Sequence, residues 1–133
     1  MLLADFKKLS VFFVLLMLIA CGEEEVIITP PTPTTASLTV TVVSCDVQND
    51  PFCDNTTPIN QAEVKLYENA NDRNNETNPI SSCLTNSSGV CNFLGLTNEN
   101  QFIQVKASGF GTMDEEENTP ANTISFLEVI FFQ

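Results

Sequence analysis

Ser37-Leu38-Thr39-Val40-Thr41-Val42-Val43-Ser44 is the stretch on which the fold turns. Leu38, Val40 and Val42 recur with a period of two, which suits one face of an extended strand and no face of a helix. Five of the eight residues are β-branched, which lowers helix propensity and favours a pleated, half-buried surface. The same alternation returns downstream, where Ala62, Val64 and Leu66 are interleaved with Glu63 and Lys65. Further strands are expected at Ile80–Leu84, Val90–Leu94, Gln101–Ala107 and Thr123–Phe132, separated by the Asn, Pro, Gly and Asp clusters that turns require. No stretch shows helical periodicity with caps. The expected class is all-β, a single Greek-key β-sandwich of about seven strands spanning 36–133.

Before this domain the sequence changes character. Lys7 and Lys8 precede the apolar run Val11–Ala20, which is too short to cross ~30 Å of hydrocarbon as a helix. The run ends in Leu18-Ile19-Ala20-Cys21, which resembles the lipobox of bacterial lipoproteins. That resemblance implies a signal peptide over 1–20, removed before Cys21, and a thioether-linked diacylglyceryl group, with acyl chains such as palmitate, on the Cys21 sulfur. Two or three chains hold a protein on a membrane stably, because each buried CH₂ contributes ~0.8 kcal/mol. Gly22, rather than Asp, follows the cysteine, which points to the outer membrane. Glu23-Glu24-Glu25 resembles the acidic signal that carries lipoproteins to the cell surface in one large group of Gram-negative bacteria; a solvated spacer is the bland reading. Residues 21–35 are the expected linker. Thr29–Thr35 holds three prolines and favours polyproline II, a semi-rigid stalk of roughly 20 Å at ~3.1 Å per residue.

Composition narrows the chemistry. The 133 residues include no His and no Trp, which removes the commonest general base, the commonest zinc ligand and the standard Ser or Cys triads. Cleavage before Cys21 leaves Lys65, Arg73 and Lys106 against sixteen acids, a formal charge of −13. Such a body repels nucleic acid and anionic headgroups. No cofactor and no enzymatic activity are expected.

Within the domain, Pro58-Ile59-Asn60-Gln61-Ala62-Glu63-Val64-Lys65-Leu66-Tyr67 resembles the "P-V-x-G-A-x-V-x-L" strand of carboxypeptidase-regulatory-like and Cna B-type domains. Thr85-Asn86-Ser87-Ser88-Gly89-Val90-Cys91-Asn92-Phe93 resembles their "T-D-x-x-G-x-F-x-F" hairpin. Gly95-Leu96 and Ile103–Phe110 follow in family order, the latter similar to "V-x-V-x-A-x-G-F". The resemblance implies a transthyretin-like (prealbumin-like) sandwich. Gln61 stands where the family has Gly, and Cys91 where it has an aromatic. The first strand carries no Lys for the Lys–Asn isopeptide bond found in many Cna B-type domains.

Five cysteines less Cys21 leave Cys45, Cys53, Cys83 and Cys91, an even number that points to disulfides in an exported protein. With a turn at Asn86–Ser88 closed by Gly89, a simple hairpin sets Cys83 opposite Cys91. Cys45 then pairs with Cys53. A metal site is disfavoured by the wide spacing and the missing His.

Asp46, Asp50 and Asp54, with Asn49 and Asn55, could offer oxygens to calcium, but a solvated loop is the better expectation. The same holds for the run Asp114-Glu115-Glu116-Glu117. Glu128 interrupts an apolar strand and is expected at a wet edge, where it blunts aggregation, while most of Phe126, Ile130, Phe131 and Phe132 are expected in the core and the rest against a neighbouring strand or partner. The expected function is a non-catalytic, surface-exposed binding or structural module, anchored at Cys21 and serving adhesion or envelope architecture. The alternative is an accessory glycan- or peptide-binding lipoprotein beside an outer-membrane transporter. A carboxylate hydrolase using Asp46 and Asp50 is a third reading and needs paired carboxyls in a cleft.

Overall fold

The computed structural model describes residues 34–133. The expected signal peptide, Cys21 and nearly all of the linker lie outside these residues. The described chain runs β1 (Ala36–Cys45), β2 (Thr57–Pro58), β3 (Glu63–Tyr67), α1 (Ala70–Asn75), β4 (Ser81–Leu84), β5 (Val90–Leu96), β6 (Asn100–Ala107), β7 (Gly111–Asn118) and β8 (Ile124–Phe132). The class is all-β, as the alternation required.

Two sheets stack. In the first, β1 is flanked on one side by antiparallel β5 and β2 and on the other by β8, which runs parallel to it in unbroken register from Ser37–Ile124 to Cys45–Phe132. The second sheet has the order β4-β3-β6-β7, antiparallel throughout. Between them lies one core in which Leu38, Val40 and Val42 meet Val64, Leu66, Ile103 and Val105, all fully buried. β8 closes one side with Val129 and Phe131, the latter ring tilted at 56° against Phe110 with centroids 5.7 Å apart. Burial of one such aliphatic side chain is worth about 1.5–3 kcal/mol, so the strand that decides the fold also carries much of the core.

Three expectations need correction. β7 was not foreseen: Asp114–Glu117 lies in a strand, not in a loop. α1 was missed as well. It is six residues long, buries none of its own side chains, and is made by its caps, with the Asn69 side chain accepting from the Asp72 N–H and Glu76 in the left-handed region.

The third correction concerns the hairpin after β4. The turn forms, with the Gly89 N–H donating to the Asn86 carbonyl at 2.9 Å. Yet β4 and β5 are not ladder partners, because β4 pairs with β3 and β5 with β1. The chain crosses here from one sheet to the other. Thr85, wholly buried, fixes the crossing: its Oγ1 donates to the Ile59 carbonyl (2.7 Å) and accepts from the Ala62 N–H (2.9 Å). Gly89 makes the crossing sterically feasible. Its φ is +72°, and a Cβ there would run into the Val42 carbonyl oxygen.

Candidate functional site

The first disulfide joins Cys45 at the end of β1 to Cys53, with a Cα–Cα distance of 5.5 Å. The loop between them is organised by its own carboxylates. Asp46 accepts from the N–H groups of Gln48 and Asn49 and from Asn49 Nδ2, and Asp50 accepts from the N–H of Asn55. The Asn49 side chain chiefly holds the Asp46 carboxyl below its ordinary value, and the Asn55 N–H does the same for Asp50. These carboxylates cap backbone instead of facing each other across a cleft. Among the described residues no three His, Cys, Asp or Glu side chains gather as metal ligands.

The second disulfide joins Cys83 to Cys91, Cα atoms 6.3 Å apart. Cys83 belongs to the second sheet and Cys91 to the first, so this bond staples the two sheets beside the Thr85 crossing. The hairpin reasoning brought the same two residues together by a ladder that does not exist. What brings them together is the corner where the chain changes sheets.

The outer faces of the two sheets differ in kind. On the second sheet lie Lys65, Arg73 and Lys106, the three cations of the described chain, and each has an acidic partner. Lys65 meets Glu63 at 2.9 Å, and Lys106 donates to Glu76 at 2.5 Å. Glu63 holds the Lys65 ammonium above its ordinary value, and Lys106 holds the Glu76 carboxyl below its own. Arg73 reaches down from α1 over the Phe102 ring (5.8 Å), donates to the Glu115 carbonyl (3.0 Å) and lies 3.6–3.8 Å from Glu116 and Asp114. Half of the acidic run is therefore spent holding the helix. Its alternate members, Glu115 and Glu117, sit on the inward side of β7, opposite Ile103 and Gln101.

The outer face of the first sheet is nearly uncharged. Glu128, exposed at the middle of β8, is the one charged residue in its four strands. Around it stand Ile124, Phe126 (73% exposed) and Phe132 on β8 and Leu94 (79% exposed) on β5. Register places Leu94, Ser37 and Ile124 in one row and Asn92, Thr39 and Phe126 in the next. Phe52, 86% exposed, projects from the disulfide loop. Sequence reasoning placed most of the C-terminal phenylalanines in the core. Phe131 is there, but Phe126 and Phe132 face water because they share the parity of Glu128 along the strand. That shared parity was the signal that could have found them.

No protein-family model and no characterised protein matches this sequence. Solved structures do. Three-quarters of the chain superposes on GBS52, the minor pilin of Streptococcus agalactiae, with a TM-score of 0.54 at 18% identity, covering 45% of that protein. The Bacillus anthracis TIE protein matches over the same share with a TM-score of 0.55 at 10% identity, covering 17% of its length. The chain thus spans less than half of the proteins it resembles. What these likenesses establish is the shared β-sandwich fold.

Proposed function

We infer that this chain is an exported lipoprotein whose β-sandwich serves as a non-catalytic structural or adhesive module at the cell surface, anchored to the outer membrane by lipid on Cys21. The carrying observation is the fate of the cysteines. Four are consumed in two disulfides, which persist in oxidising compartments outside the cytosol. The fifth, Cys21, stands directly after an apolar run of signal-peptide length. A fold shared with a minor pilin supports the structural role, and the missing His supports the absence of catalysis. The proline-rich segment after Cys21 would raise the sandwich off the bilayer.

The exposed phenylalanines favour the alternative, an accessory binder of peptide or glycan, to a limited degree. A phenyl ring offers no hydrogen-bond donor to a sugar, so peptide is the better-suited ligand of the two.

Mass spectrometry of the mature N-terminus tests the anchor. The expected product begins at Cys21 and carries diacylglyceryl mass, and the Cys21→Ser variant stays uncut. A free thiol on an uncut or shed chain contradicts the reading. Protease added to intact cells should degrade the domain, and Glu23, Glu24 and Glu25 replaced together by Ala should protect it. Equal digestion of both shows that the acidic run does not direct surface display.

A further inference from the structure

A sheet's edge strand offers unpaired backbone groups to any other strand, and proteins blunt such edges by shortness, bulges, charge or inward acids. Three of the four edges here are blunted. β4 is four residues long. β5 carries a bulge at Gly95 (φ +71°), where the register with β1 shifts. β7 turns Glu115 and Glu117 inward. β8 has only one of these, the outward charge of Glu128: it is nine residues long, with no Gly, no Pro, no inward acid and no register shift against β1.

The direction of its free groups follows from the bonds at its two ends. The Ser37 N–H donates to the Thr123 carbonyl (3.0 Å) and the Gln133 N–H to the Cys45 carbonyl (2.8 Å). Odd-numbered residues of β8 therefore address β1. Ile124, Phe126, Glu128, Ile130 and Phe132 point their N–H and C=O groups the other way, and among the described residues nothing bonds them. These same five carry the outward side chains. One partner strand can thus take the backbone edge and extend the apolar face in a single step.

We propose that β8 pairs antiparallel with β8 of a second copy of this chain, joining two sandwiches into one continuous sheet. Charge confines where a second copy can dock. A body with thirteen acids among its described residues repels its own copy everywhere except where charge is sparse, and the first sheet carries one acid in four strands. The cations that would attract another acidic partner are already paired on the opposite sheet. The register follows from Glu128. Centring the pair on Glu128 sets two carboxylates face to face, which is unfavourable. Centring it on Leu127 sets Phe126 opposite the second copy's Glu128 and Ile124 opposite its Ile130; centring it on Val129 sets Phe126 opposite Phe132. Either arrangement keeps the carboxylates apart and packs apolar side chains on the outer face. One strand pair with these side chains covers an area below the roughly 1,200 Å² at which stable interfaces begin, so the pairing is weak and reversible. It does not depend on the lipid anchor.

Photocross-linking of the full-length protein in living cells tests this. Benzoylphenylalanine in place of Phe126 should give a covalent species of twice the chain's mass, built from two copies, and in place of Thr112 on β7 should give none. Glu128→Pro removes an N–H that β1 does not use, and should lower the Phe126 yield about tenfold or more, since each copy loses a hydrogen bond and strands an acceptor. Glu128→Gln should preserve the yield. Where the proline variant loses its disulfide-dependent gel mobility, Ile124→Asp serves instead and should also lower the yield. No doubled species, cross-links to a different protein alone, or a yield indifferent to both Glu128→Pro and Ile124→Asp overturns the proposal.

Discussion

The two outer faces of the sandwich are made from the same kind of strand and treated in opposite ways. The second sheet is finished: a short helix lies on it, three cations are matched to acids, and Arg73 spans Phe102, Asp114, Glu116 and the Glu115 carbonyl. The first sheet is left open, with Leu94, Ile124, Phe126 and Phe132 exposed around a single carboxylate. An apolar face costs solubility unless something covers it, and a protein this acidic tolerates the cost because charge elsewhere keeps it dispersed. Stability and recognition are thereby divided between the sheets. Substitutions on the closed face should lower stability, and those on the open face should change only what it touches.

The largest effect should come from the joint between the faces. Gly89→Ala forces a Cβ against the Val42 carbonyl oxygen at positive φ, and should cost about 3 kcal/mol or more, read as a lower denaturation midpoint. Removing the sheet-to-sheet staple with the Cys83→Ala, Cys91→Ala pair should cost about 2.5 kcal/mol in the same measurement, from the unfolded-state entropy that a nine-residue loop restores. Arg73→Ala, on the closed face, should cost about 1–2 kcal/mol and speed amide exchange in α1 before any other element. Phe126→Thr, on the open face, should leave stability within about 0.5 kcal/mol; a larger loss would show that this face is packed after all.

A smaller effect has a definite sign in pH. Asp46, Asp50 and Glu76 are held below ordinary values of 3.8, 3.8 and 4.5. A depressed folded-state value contributes stability that is present above the ordinary value and is lost as pH falls through the folded one. On the acid side, melting temperature should therefore begin to decline below about pH 4.5, and the Lys106→Gln variant should show a shallower decline. Exposure and screening keep each contribution small. Gln61, at φ +62° where the resembled family has Gly, gives the complementary test: Gln61→Gly should raise stability by about 0.5–1 kcal/mol.

How much of this was legible follows the same division. β1, β3 and β6 could be read because one side of each faces the core, and a strand half in oil must alternate; β8 could be read because it is a run of β-branched and aromatic residues, apolar on both faces. β7 could not, because at the sheet's rim its inward positions are Met113, Glu115 and Glu117, so the alternation that marks a strand is absent. α1 could not, because no apolar stripe holds it; Asn69 and Glu76 hold it by cap geometry, and Glu76 and Arg73 by contacts with Lys106 and Glu115, which are distant in sequence. The cysteine spacing named the right residues for the second disulfide, while the route between them, through Thr85 and the change of sheet, depends on hydrogen bonds to Ile59 and Ala62 some twenty-five positions away. The open face was missed for a simpler reason: a run rich in phenylalanine reads as core until its parity is counted against Glu128.

Residue-resolved amide exchange along β8 of the purified full-length protein, measured at low and at high concentration, tests the division most directly. Dilute protein should show alternation, with Ser125, Leu127, Val129 and Phe131 slow and Ile124, Phe126, Glu128, Ile130 and Phe132 fast, and the fast set should slow as concentration rises. Uniform protection of β8 in dilute solution would mean that this edge is already covered within one chain, and that the face described here as open is not.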